Sequence, residues 1–178
     1  MPLPPGTYAL GPENGTLSVR TGRTGAAAKA GHNLLIHVTS WSATFEAAED
    51  PARARITLEA DPTSLRVREG TGGMQSLDDD DKAGIETTID EEVLERRAIA
   101  FHSTSIAAAD GGLHVHGELT LGGTTKPIEL DLAVGDDGAL GGSVVVKQSD
   151  WGIAPYSTLF GTLKVVDEVE VSLDAHPA

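Results

Sequence analysis

The stretch from Gly112 to Leu132, GLHVHGELTLGGTTKPIELDL, constrains the fold more than any other part of the chain. Apolar and polar residues alternate along it. Leu113, Val115, Leu119 and Leu121 fall on one face, and His114, His116, Glu118 and Thr120 on the other. A period of two is that of a β-strand with one buried and one wet side. Gly122-Gly123-Thr124-Thr125 predicts the turn, and Ile128, Leu130 and Leu132 resume the apolar face. Pro127 stands at the start of the return strand, where a missing N–H is tolerated.

Similar alternation recurs along the chain. Tyr8-Ala9-Leu10 and Thr16 to Arg20 read as strands, and the Asn14-Gly15 pair between them is a strong hairpin signal. Leu34, Ile36 and Val38 share one face, with His37 on the other beside Leu35 and Thr39. Trp41, Ala43 and Phe45 form a further apolar row, as do Ala54, Ile56 and Leu58. Asp61-Pro62-Thr63-Ser64 is a turn leading to Leu65 and Val67, with Arg66 and Arg68 outward. Ile99 to Ser105, Val144 to Lys147 and Lys164 to Leu173 complete the set of expected strands. Gly22 to Gly31 reads as a loop or one helical turn, and Arg68 to Ser76 as a loop.

One helix is expected, from Leu77 to Arg97, with its regular part at about 78–96. Ile85, Ile89 and Val93 recur every four residues and make one apolar stripe. Asp78 to Asp81 crowd its start, and Arg96 and Arg97 its end, the polarity a helix dipole favours.

The chain's 178 residues suit a single domain, 1–178. With two Trp, two Tyr and three Phe, its core must lean on Leu, Ile, Val and Ala. The net charge of −14 repels nucleic-acid phosphates and anionic lipid surfaces, so no nucleic-acid partner is expected. There is no cysteine, hence no disulfide framework and no thiol chemistry. The opening Met1-Pro2-Leu3-Pro4-Pro5 lacks a basic region followed by an apolar run, and no stretch of about 18 apolar residues occurs. A cytoplasmic protein without a transmembrane segment is the expectation.

Four segments carry a family resemblance. They are LDDDDKAGIETTIDEEVLE in the expected helix, Ile99 to Ser105 (IAFHSTS), the GELTLGGTTKPIELDL hairpin, and Ser149-Asp150-Trp151-Gly152-Ile153. Together they resemble the YceI-like family of lipocalin-like, polyisoprenoid-binding β-barrel proteins. Gly31-His32 is similar to a Gly-His of that family. Arg97-Ala98 stands where members often have a proline, and many members are exported, so two departures accompany the likeness. The resemblance implies a mainly β fold: an antiparallel, extended lipocalin-like barrel of about eight strands with one amphipathic helix. A barrel of about eight strands holds either packed side chains or one small ligand.

No nucleophile elbow and no phosphate-binding loop is present, so no catalytic residue is assigned. His114 and His116 have a spacing that strand-borne metal ligands use, but no third ligand is evident in the sequence, and no metal site is assigned. The Asp78 to Asp81 run is read as a helix start rather than a cation site. The family implies a non-catalytic carrier of a long apolar isoprenoid-type lipid, with isoprenoid quinones in that class and no other cofactor. The expected lining is Leu34, Ile36, Val38, Phe45, Phe101, Leu119, Leu121, Leu130, Leu132, Val144, Val146 and Trp151. For Trp151 and Tyr156, core packing is the competing reading. Two other functions stand beside the carrier. One is an enzyme for an amphipathic substrate, with a His such as His32 or His37 at the barrel mouth. The other is a filled barrel serving as an interaction module. Strand edges also leave homodimerisation open.

Overall fold

Strand pairing in the computed structural model, which describes residues 3–25, 32–73, 76–158 and 163–177, follows chain order around a ring. The strands are β1 (Gly6–Leu10), β2 (Gly15–Thr21), β3 (Arg23–Thr24), β4 (Asn33–Val38), β5 (Trp41–Ala47), β6 (Arg55–Ala60) and β7 (Leu65–Thr71). After helix α1 (Asp79–Thr88) come β8 (Ile99–Ala109), β9 (Gly112–Leu121), β10 (Thr124–Val134), β11 (Leu140–Lys147), β12 (Ser157–Thr158), β13 (Leu163–Val165) and β14 (Glu168–Ala175). Eleven of them form one antiparallel sheet, β1-β5-β6-β8-β9-β10-β11-β14-β2-β4-β7. β12, β13 and β3 form a second, small sheet.

The expected eight strands and the observed eleven segments are reconciled by corners. β4 ends at Val38 and β5 starts at Trp41, so only Thr39 and Ser40 separate them. β1 pairs with β5 while β2 pairs with β4, and β6 pairs with β5 while β7 pairs with β4. Each of β1/β2, β4/β5 and β6/β7 is therefore one strand bent through a corner. Counted so, the sheet has eight strands, and the β14–β2 ladder brings the last against the first. The corners are tied together: Thr39 N–H donates to Ser64 O at 2.9 Å and Asp61 N–H to Ser40 O at 2.9 Å. Buried Ser64 is satisfied there, its hydroxyl donating to Asp61 O at 2.8 Å.

The Asn14-Gly15 turn forms, but not as a hairpin. Asn14 Oδ1 accepts from Gly11 N–H at 2.9 Å, its amide donates to Ala9 O at 2.9 Å, and its carbonyl accepts from His176 N–H at 2.8 Å. These bonds serve a corner, so β1 and β2 pair with different partners. The Gly122-Gly123 turn does close a hairpin, with Thr124 opposite Leu121 and both glycines at positive φ. β10 meets β11 only from Leu132 to Val134. Pro127 lies outside that ladder, where its missing N–H breaks no bond to β11. The expected strand from Lys164 to Leu173 is two strands, β13 and β14, in different sheets. Of the small-residue segment Gly22 to Gly31, Arg23-Thr24 pair with β13, and residues 26–31 lie outside the described residues.

The helix is shorter than the sequence predicts. Asp78 caps it, its carboxylate accepting from Asp81 N–H at 2.8 Å while Asp81 accepts from Asp78 N–H at 3.1 Å. After Thr88 the coil widens into a π-helical turn, Ile89–Val93, in which Leu94 N–H reaches Ile89 O at 2.8 Å. Glu95 and Arg96 then take positive φ and end it. Ile85, Ile89 and Val93 pack on the core as the stripe requires. No helix among the described residues is long and apolar enough to cross a membrane.

Candidate functional site: an apolar cavity inside the barrel

Alternation sends every second side chain of each barrel strand inward, and those side chains do not meet in the middle. They enclose a cavity of about 700 Å³, within the range of roughly 300–1,000 Å³ usual for ligand pockets. Its wall is almost wholly hydrocarbon. Phe45, at 1% exposure, and Val115, at 0%, are among its most deeply buried members. Helix α1 and the π-helical turn after it supply wall beside β7, through Ile85, Thr88, Ile89, Val93 and Leu94.

Leu34, Ile36, Val38, Phe45, Phe101, Leu119, Leu121, Leu130, Leu132, Val144 and Val146 all border this cavity. Trp151 does not. It lies buried in a 3-10 turn, Gln148–Trp151, and its indole N–H donates to Leu119 O at 2.9 Å. That bond holds the ring in the packing outside the cavity wall, which corrects the expectation that it lines the lumen. Ile56, Leu58, Val169, Val171 and Leu173 border the cavity as well, although they are absent from the expected lining. Their alternation was visible in the sequence. The contribution of α1 was not, because a stripe shows that a helix packs but not on what.

Polar groups gather where β3, β13, Tyr156 and the start of α1 reach the cavity: Arg23, His32, Asp80, Asp81, Tyr156 and Lys164. The small sheet assembles part of this rim by pairing Lys164 with Thr24 and Val165 with Arg23, and Tyr156 O accepts from Val165 N–H at 2.9 Å. Gly72 and Gly73, both at positive φ, leave room for the Arg23 guanidinium and the His32 ring, which a Cβ at either position would strike. His32 thus stands on the wall. His37 does not: it faces outward, and partial burial followed by the nearby Arg68 and Arg20 charges lowers its pKa.

The outer face of β9 and β10 holds other titratable groups. His114 Nδ1 lies 2.6 Å from Asp131 Oδ1, and this hydrogen bond, aided by the Asp131 and Glu129 charges, raises the His114 pKa against a smaller opposing effect of desolvation. The third neighbour absent from the sequence-level reading is Glu129, which register places opposite His116.

A model of the YceI-like domain matches residues 8–176. The chain belongs to the YceI-like family. Among solved structures, Burkholderia cenocepacia BcnA superposes with a TM-score of 0.66 at 16% identity, covering 90% of this chain and 94% of that chain. A Campylobacter jejuni YCEI protein superposes with a TM-score of 0.57 at 14% identity, covering 80% and 82% respectively. At these identities the likeness is one of fold. No curated protein matches the chain in sequence. Within this YceI-like barrel, the lipocalin-like ring and the helix beside it are the parts that shape the cavity.

Proposed function

We propose that this YceI-like protein is a non-catalytic carrier that holds a long apolar lipid of isoprenoid type in its barrel, isoprenoid quinones being members of that class. The observation that carries the reading is the cavity of about 700 Å³, walled by hydrocarbon and polar along one part of its border. A chain with an apolar tail and a polar head matches that division. Each methylene taken from water contributes about 0.8 kcal/mol, so affinity needs no reacting group. Arg23, Lys164 and Tyr156 offer N–H and O–H donors to a carbonyl or hydroxyl head. The hollow interior weighs against a filled interaction module. An enzyme would need a base placed on a reacting atom, and His32 is the one histidine on the cavity border among the described residues.

Native mass spectrometry of protein expressed in its own host and purified without detergent tests the proposal. The expected result is a co-purifying mass that organic extraction identifies as a polyisoprenoid. A protein that carries no lipid, and takes up none from isoprenoid-loaded vesicles, would overturn it.

A further inference from the structure

The outward face of the β9–β10 hairpin carries a constellation the cavity does not use. Register sets Glu129 opposite His116 and Asp131 opposite His114, and the strand period keeps all four side chains on one side of the sheet. His116 Nδ1 is 3.4 Å and His114 Nε2 is 3.8 Å from the same Glu129 oxygen. One donor atom from each of the three lies within 4.8 Å of the others. Donors around a tetrahedral zinc ion, bound at about 2.0–2.2 Å, stand about 3.3–3.6 Å apart. The His116–Glu129 gap already has that length; the His114–Glu129 gap, at 3.8 Å, and the gap between the two imidazole nitrogens, no more than 4.8 Å, would have to shorten by rotation about exposed side-chain bonds.

Asp131 distinguishes this cluster from two adjacent surface histidines. In the His114 tautomer that donates Nδ1–H to this carboxylate, at 2.6 Å, the lone pair is on Nε2, the nitrogen beside Glu129. Metal-binding histidines are held in this way by a carboxylate on the other ring nitrogen. The supporting hairpin is paired continuously from Gly112–Ala133 to Leu121–Thr124, so the ligands sit on a fixed register. The chain's charge of −14 adds a field that favours a cation.

We propose that His114, His116 and Glu129 form an open three-ligand site for a divalent transition-metal ion such as zinc, with Asp131 orienting His114. Three protein ligands leave the fourth position to water. The histidine side chains are 37% and 49% exposed, so the ion would exchange with solvent, and micromolar rather than tighter binding is expected.

Titration of the full chain with zinc chloride near neutral pH, followed by calorimetry and by imidazole nitrogen resonances, tests this. One ion per chain should bind, with shifts at His114 Nε2 and His116 Nδ1. His114→Ala or His116→Ala should abolish saturable binding. Asp131→Asn should weaken it by about ten- to a hundredfold, while His37→Ala should leave it unchanged. Thermal melts without metal report whether each variant folds, and the wild-type resonance shifts locate the ion without any substitution. Absence of saturable binding, shifts at other histidines only, or binding that survives the double His114→Ala, His116→Ala change would overturn the proposal.

Discussion

At the scale of single residues, Gly117 shows how close approach rather than turn geometry dictates a glycine. It is buried on β9 opposite Ser103, where the β8 register shifts. A Cβ there would come within 2.5 Å of the His102 carbonyl oxygen and of the Phe101 ring, and the backbone oxygen cannot move away cheaply. Gly117→Ala should therefore lower stability by about 1–3 kcal/mol, read from urea denaturation. His114 offers a second test. Its pKa is raised, chiefly by the Asp131 hydrogen bond. The linkage sign follows: a folded pKa above the unfolded one stabilises the fold fully below the unfolded value of about 6.5, and that contribution is lost as pH rises through the folded pKa. A nuclear magnetic resonance titration should place the His114 midpoint above that of a peptide histidine and above that of His37, whose pKa is lowered. Asp131→Asn should bring it down. An unchanged midpoint in that variant would show that the hydrogen bond does not govern the titration. The alternation that puts His114 and Asp131 on outward faces is readable from the sequence, but their pairing across two strands is not.

At the scale of elements, the helix is a wall piece before it is a helix. β7 pairs with β4 on one side only, and α1 lies along its other side. Register shifts between Leu35 and Ile36 opposite β7, and Val67 N–H donates to Glu86 Oε2 at 3.0 Å. Glu86 thus answers an edge donor that no strand among the described residues reaches. Glu86→Ala should cost about 1–3 kcal/mol by leaving that partly buried N–H unpaired, and amide exchange at Val67 should quicken. Exchange at the wild-type rate would mean that water replaces the carboxylate without loss. The acidic start and apolar stripe of this helix were legible beforehand, because both are local patterns. The early stop was not. Glu95 and Arg96 end it at positive φ without a glycine, held by the Arg96–Asp90 bond at 3.1 Å and by Arg97 donating to Gly122 O at 3.1 Å. The second contact comes from 25 residues away and leaves no mark in the helix's own sequence.

At the scale of the whole molecule, the cavity and the stability of the barrel can be varied separately. Leu130 is half-buried on the cavity wall, with empty space on its inner side. On the proposed carrier function, Leu130→Trp should fill part of the cavity, so that lipid retained through purification falls while the lipid-free variant melts at or above the temperature of lipid-free wild type. Undiminished lipid in this variant would count against the cavity as the binding place. Most inward faces, the Gly122-Gly123 hairpin and the family were available from the chain alone, because a period of two and a two-glycine turn are properties of neighbours in sequence. The corner at Asn14-Gly15, the division of the Lys164 to Leu173 segment and the position of Trp151 were not. Each depends on which distant strand supplies the hydrogen-bond partner. Tertiary structure also decided that the inward side chains stop short of one another. Whether apolar faces close on a solid core or on a hollow is set by the curvature of the ring, and curvature arises from bends and registers that no local pattern of residues specifies.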